Sequence, residues 1–366
     1  MQNCPEIISG SGLASQSRAE EVDMIKALAI ICMVAGHAGF PFNSFIHLFH
    51  MAVFFMASGF FFKEKYSSNF KAVECYAWKK IKGLWVPYFV WIAIYILLNN
   101  LFIRINLYTD NPDILLYVQG KHIGTHSYLT IPQMLKRIGK AFLWSGSSQM
   151  AGAFWFFKTL FFISIGYCLV DYGARVLWKD YVFLTQFIVS VVLLGIGFFC
   201  ASHGISWHGV ELICSYYCLF FLGHCLGKIV DQYRKWSKIT YLGLFALSFF
   251  ILLLLNRIGS IGLSVNEYEN PAFLLITAFV GWIFLYSAGF LICNANSIFL
   301  HYIKTILSYI AVRTRPIIIL HFLSFKIINF IICIVYKLPL FCVAVCLSRT
   351  KCSERSPKSA VVSQHA

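Results

Sequence analysis

Five ionisable residues stand on or beside two apolar runs between positions 23 and 62: Asp23, Lys26, His37, His47 and His50. An ionisable group inside a bilayer costs at least about 2.5 kcal/mol and by default marks a functional site. Lys26 and His37 are eleven positions apart. On a helix this is about 16 Å of rise and close to three full turns, so the two side chains lie near one face at different depths. A neutral imidazole, with an unperturbed pKa near ~6.5, can take a proton at physiological pH. An ammonium at the membrane surface can hold an anion, and Asp23 stands beside it at the entrance of the run. A base at depth with a cation at the mouth suits group transfer from a donor that carries phosphates. His50 opens the second run, where it either orients a neighbour or sits at the interface. His47 and His50 have a spacing that can ligate a metal, but no third ligand is evident and no metal is assigned.

The elements that must position these groups are membrane helices. The chain has 366 residues, 59% of them hydrophobic and 12% charged, with mean hydropathy +0.72. A soluble domain is roughly 45–50% apolar and about 25% charged, so an all-α polytopic transmembrane bundle in a lipid bilayer is expected. The formal net charge of +15 does not point to nucleic acid, because the Lys and Arg lie between apolar runs and set orientation. Spans of ~17–25 residues are expected at 24–40, 45–62, 84–103, 152–170, 181–200, 210–227, 240–256, 272–293 and 316–336. A tenth apolar run at 338–347 is short for a crossing, giving nine to ten spans, and 298–312 reads as interfacial. Basic segments around Lys63–Lys82, Lys228–Lys238 and Lys304–Arg315 fall on one side of this scheme. The positive-inside rule then places the N-terminus in the cytoplasm. The stretch 104–150 becomes a long outer loop despite Lys121, Lys136, Arg137 and Lys140. The first apolar run lacks a small-residue cleavage site and reads as a retained span. The thirteen cysteines show no Cys-x-x-Cys pair or zinc spacing and read as apolar fillers, with no disulfide assigned.

The run VDMIKALAIICMVAGH resembles the opening of the integral-membrane acyltransferase family 3: an acidic residue, a basic one, ten apolar positions and a histidine, with Lys26 where many members have Arg. Phe49, His50, Met51, Phe54, Phe55, Ser58 and Gly59 match the family pattern FHMPLFFxxSGY, with Ala52 for Pro and Phe60 for Tyr. KKIKGLWVPYF is similar to the segment introducing the third span, with Lys80 and Lys82 spaced like its paired Arg. GAFWFFKTLFF resembles the WFLxxLF pattern at Trp155, Phe156, Leu160 and Phe161. RTRPIIILHFLSFK resembles the late IGKxTxxILxLHFLSFK pattern at Thr314, Ile317, His321, Phe322 and Lys326, with Ala311 for its Gly. The fucose 4-O-acetylase-like branch is the nearest in pattern.

The resemblance implies an O-acyltransferase in the cell inner (plasma) membrane. It would move an acetyl group from acetyl-CoA to a sugar hydroxyl of a cell-surface glycan, an exopolysaccharide or a lipid-linked precursor. His37, Asp23, Lys26 and His50 would form the catalytic group. Lys80, Lys82, Trp155 and Arg313 would hold the donor. His37 would either take the hydroxyl proton or first carry the acyl group. Blander readings stand beside these: topogenic charge for Lys80 and Lys82, an interfacial aromatic for Trp155, bundle packing for His321 and Lys326, and plain surface for His203 and His208. A transporter or flippase of glycan intermediates is the alternative, but it calls for internal repeats with matching broken helices, and no such repeat is seen. The chain divides into a polar tail 1–17, an acyltransferase domain 18–336, and a segment 337–366 that departs from the family pattern and reads as truncated or frame-altered.

The charge pattern generates a test of topology. A cysteine introduced by Ser127→Cys should be labelled by an impermeant thiol reagent only from outside; labelling only from the cytoplasm would overturn the scheme.

Overall fold

A chain in lipid must satisfy its backbone groups internally, and helices do so within one segment. The computed structural model describes residues 13–108, 110 and 127–338. It is all-α apart from one antiparallel ribbon, in which Ile261 pairs with Tyr268 and Gly262 with Glu267. Among the described residues eight helical stretches are long and apolar enough to cross a membrane. The polytopic helical bundle expected from composition is therefore present. The proposed tail residues 339–366, the tenth apolar run they contain, Lys121 and residues 1–12 lie outside the described residues.

Two expected boundaries change. The run expected as the first span, 24–40, belongs to helix α1 (Leu13–His37), which is not among the eight. It carries Glu20, Glu21, Asp23 and Lys26, so its uncharged stretch, 27–36, is shorter than the ~17 residues a crossing needs. The helical stretch that contains the expected third span, 84–103, begins earlier, at Phe70, and runs to Leu97. It comprises α4 (Phe70–Lys80), a π turn at Ile81–Trp85 and α5 (Val86–Leu97). The basic segment is thus helical, and no proline lies between Phe70 and Trp85 to break it. Pro87 lacks the N–H that would bond the Gly83 carbonyl, and the π turn lies at that point. The cysteine reading also changes: Cys75 is disulfide-bonded, whereas Cys168, Cys214 and Cys218 are free and buried.

The chain forms two compact units. The first contains 1–33, 42–85 and 155–315. Its centre is the crossing of α3 (His50–Phe60) with α10 (Val210–Tyr233). A Cβ at Gly59 would overlap the Phe220 carbonyl, and Cβ atoms at Gly223 and Gly227 would overlap the carbonyls of Met56 and Phe60. The two backbones touch, as small residues allow in membranes. Ahead of α3, α2 (Asn43–His47) ends in a turn at Leu48–Phe49. Both turn residues are buried, so the helix break is not exposed to lipid. Around this pair lie α8 (Trp155–Leu177), α9 (Val182–Ser202), α11 (Lys238–Ile258), α12 (Pro271–Cys293) and α13 (Ile298–Ala311). The segment expected to be interfacial is α13, whose Leu307 and Ala311 pack on Met24 and Ala27. Buried Glu21 ties α1 down by accepting from Arg234 Nε at 3.1 Å and from Tyr286 Oη at 2.8 Å. Asn266, at φ +59°, inserts the ribbon loop between α9 and α10, donating to the Gly197 carbonyl at 3.2 Å and accepting from Ser215 Oγ at 2.7 Å.

Among the described residues, the second unit contains 34–41, 86–108, 110, 127–154 and 316–338. It holds the end of α1, α5, α6 (Asn99–Arg104), α7 (Ile131–Phe142) and most of α14 (Thr314–Val335). Helix α7 lies within the stretch read as a long outer loop; its start is closed by Thr130 and Gln133, with Thr130 N donating to Gln133 Oε1 at 2.9 Å. Tyr88 stacks on Trp144 at 4.4 Å and accepts from Gly146 N at 3.1 Å. Tyr95 Oη donates to the Ile319 carbonyl at 2.8 Å, which fixes α14.

The glycine crossing generates a stability prediction. Gly223→Val should cost ~3 kcal/mol or more by forcing two backbones apart, read as loss of monodisperse protein after detergent extraction. Gly166→Ala is the control, because nothing lies within 4 Å of a Cβ there, and it should leave the yield unchanged or raised.

Candidate active site

In the first unit a cavity of about 680 Å³ opens beside α4 and the π turn, a size in the usual range for small-molecule sites. Lys79, Lys80, Lys82 and Arg315 line it, and no Asp or Glu is among its described lining residues. Each lysine rests on an aromatic face. Lys80 Nζ lies 5.1 Å from the Tyr76 ring centre, Lys82 Nζ 5.5 Å from that of Trp78, and Lys79 Nζ 5.6 Å from that of Tyr66. Such contacts hold a cation without neutralising it. Tyr66 and Tyr76, 4.9 Å apart, form the wall, with Ser58 of α3 and Leu160 of α8 beside them. Arg315 reaches the Gly83 carbonyl at 3.4 Å.

A charge network running from buried Asp171 to exposed Glu64 and Lys228 holds the Tyr66 turn. Ser67 Oγ donates to Asp171 Oδ2 at 2.5 Å, and Arg175 Nε reaches the same oxygen at 2.7 Å. Arg175 and Lys228 both pair with Glu64, at 3.4 and 2.8 Å. The hydrogen bond from Lys228 holds the Glu64 carboxyl below its usual pKa. An anion entering the cavity therefore meets four cations with no Asp or Glu among the described lining residues.

Also in this unit, Lys26 Nζ pairs with Asp23 Oδ1 at 2.6 Å, one helical turn away, and lies 4.9 Å from the Phe61 ring centre. The two residues read at the entrance of the run thus form an ion pair with each other. His50 is buried, with Nδ1 2.8 Å from the Ile46 carbonyl, and its ring meets that of His47 edge to face at 5.0 Å.

In the second unit, His37 ends α1 half-buried. Its ring centre lies 5.2 Å from that of His321 and 4.9 Å from that of Phe322, both on α14. His321 and Lys326 are 4% and 5% exposed. Gly152 makes room for Phe322, because a Cβ at 152 would approach the ring to 3.0 Å.

Some expected residues lie apart from these groups. Trp155, the first residue of α8, sits in an aromatic cluster 6.3 Å from Phe55 and 6.4 Å from Tyr216, and does not line the cavity. Arg313 is exposed and folds back over Tyr309, 3.5 Å from the ring centre, while Arg315 takes the place at the cavity. His203 and His208 are exposed. Sequence reasoning missed Arg315, Lys79 and the aromatic supports. One signal was available: Tyr76 with Lys80, and Trp78 with Lys82, are i, i+4 pairs that meet on a helix face. Lys79 with Tyr66 had none, because the turn at Glu64–Ser67 brings them together.

A family model described as an acyltransferase domain matches residues 20–349. No curated protein and no solved structure matches the chain. The match spans most of the chain and covers every residue of the cavity, the Asp23–Lys26 pair and the histidine group. With its apolar helices, it shows that the chain belongs to the membrane acyltransferases of acyltransferase family 3.

Proposed function

We propose that this acyltransferase takes an acetyl group from acetyl-CoA and transfers it to a sugar hydroxyl of a cell-surface glycan, an exopolysaccharide or a lipid-linked precursor. The observation that carries the donor reading is the cavity lined by Lys79, Lys80, Lys82 and Arg315 with no carboxylate among its described lining residues. Coenzyme A presents phosphates and a flat purine, and this cavity offers cations and aromatic faces. Positive charge on lysines and arginine suits phosphate oxygens, and Trp78 and Tyr66 are suited to stack on a purine. The supports preorganise the lysines, so less side-chain entropy is lost on binding. The protein would sit in the cell inner (plasma) membrane with its N-terminus and this cavity on the cytoplasmic side, where acyl-CoA is made.

The chemistry assigned to His37 is general-base catalysis. Its neutral imidazole takes the proton of the sugar hydroxyl as the oxygen attacks the thioester carbonyl. The C–S bond breaks, the pair of electrons leaves on sulfur, and the proton passes from His37 to the thiolate. The products are the sugar ester and free coenzyme A, and the imidazole returns to its starting state. Asp23 and Lys26 hold one another at the entrance of the same helix. His50 serves as a fixed polar group on α3.

Three measurements follow from this reading. Glycan mass spectrometry with and without the gene should show the loss of an acetyl-sized mass on deletion; an accumulated precursor with unchanged acetylation would support a transporter instead. Lys82→Ala and Arg315→Ala should each raise KM for acetyl-CoA about tenfold, equivalent to ~1.4 kcal/mol. Turnover should change little, because a remote phosphate contact is largely uniform binding. Arg313→Ala should leave KM unchanged, and the reverse order of Arg313 and Arg315 would return the donor site to the sequence-based assignment. His37→Ala should lower radiolabelled acetyl transfer by at least about 10²-fold per inserted protein. His37→Gln should not restore it, because an amide keeps hydrogen bonds but cannot accept the proton; near-normal transfer by the Gln variant would make His37 a packing residue.

A further inference from the structure

His321 carries a lone pair that the fold leaves unused. Its Nδ1 lies 3.1 Å from the Ile317 carbonyl and 2.9 Å from the Ile318 carbonyl. A carbonyl oxygen only accepts, so Nδ1 bears the ring proton. A neutral imidazole has one N–H, so Nε2 bears the lone pair. That Nε2 is buried with no hydrogen-bond partner, in a side chain that is 4% exposed. Leaving a buried acceptor unpaired costs about 1–3 kcal/mol, and such a group calls for a reason. Bundle packing does not supply one, because an apolar residue of the same shape would avoid the cost.

The neighbour that supplies one is His37. The two rings are 5.2 Å apart at 31° between planes, a separation at which a nitrogen of one ring directed at a nitrogen of the other comes within hydrogen-bond reach. Phe322 flanks both, 4.9 Å from His37 and 4.1 Å from His321. It is seated where Gly152 lacks a Cβ. The pair is thus confined by packing in a place where water competes little.

We propose that His321 is a positioning residue for His37: its Nε2 accepts an N–H from His37, fixing the tautomer and leaving the other His37 nitrogen unprotonated for the acceptor hydroxyl. A base held by a third group is the arrangement that makes a histidine effective in proton transfer. When His37 takes the hydroxyl proton, the N–H shared with His321 becomes charge-assisted and stronger. His321 stays neutral throughout, and the proton leaves His37 for the thiolate of coenzyme A. This inference rests on the reading of His37 as the base.

The test is acetyl transfer by the full chain in membranes, normalised to inserted protein, for His321→Ala, His321→Gln, His37→Ala and the double alanine variant. The expected result is a fall in kcat of about 10–100-fold for His321→Ala, the scale of loss when the partner orienting a histidine is removed. KM for acetyl-CoA should be unchanged. His321→Gln should recover much of the loss, since its amide oxygen can accept the His37 N–H near the place of Nε2. The double variant should be no worse than His37→Ala, because His321 acts only through His37. Losses that multiply in the double variant, or a Gln variant no better than Ala at equal insertion, would overturn the pairing and leave His37 as the base. Near-normal transfer by His37→Ala would instead remove the base reading, and the pairing with it.

Discussion

In hydrocarbon, apolar side chains gain nothing by leaving lipid for one another, so helices associate through close contact and internal hydrogen bonds. This constraint is met most sharply where α3 crosses α10. Gly59, Gly223 and Gly227 let backbone lie on backbone, and a methyl group at any of them would strike a carbonyl. The rest of the first unit is built outward from that crossing. Helix α3 contributes Ser58 to the cavity and leads into the turn that carries Tyr66. Helix α10 contributes Lys228, which pairs with Glu64 at 2.8 Å and steadies the same turn. A crossing set by three absent side chains thus fixes the wall of a charged cavity.

The cavity concentrates like charge. Lys79, Lys80, Lys82 and Arg315 repel one another, and nearby Asp171 and Glu64 are engaged by Ser67, Arg175 and Lys228. Aromatic faces lower the cost of holding such cations without supplying the negative charge that would satisfy them. Lys79 and Lys80 also close the last turn of α4, where the helix dipole favours positive charge. The repulsion that remains is the kind that an entering anion relieves. The Gly83 carbonyl, which Pro87 cannot bond along the helix, receives Arg315 instead.

The second unit follows a different principle. Three of its buried tyrosines are satisfied across segments far apart in the chain: Tyr95 by the Ile319 carbonyl, Tyr108 by Ser148, and Tyr88 by Gly146. Against that background the unpaired Nε2 of His321 stands out. Its location beside His37 ties the late histidine to the early one, although 283 residues of sequence lie between them. The aromatic ring of Phe322 and the bare backbone of Gly152 hold the two imidazoles together by shape.

The sequence by itself determined the solvent class, the all-helical bundle and the family, because hydropathy, charge spacing and short motifs are local properties. Lys26 and His37 stood out as ionisable residues on or beside an apolar run, and Lys80 and Lys82 stood out by their motif positions. The pairing of Lys26 with Asp23 is likewise a one-turn relation on a single helix. Other features depended on segments far apart in the chain. The place of Arg315 rather than Arg313 at the cavity and the contact of Lys79 with Tyr66 are set by how helices and turns pack. The pairing of His37 with His321 joins the first helix to the last described one. Helical periodicity says which residues share a face of one helix; it does not say which other helix that face meets. Only the tertiary structure decides that, through backbone approach at glycines and the few hydrogen bonds that fix one helix against another.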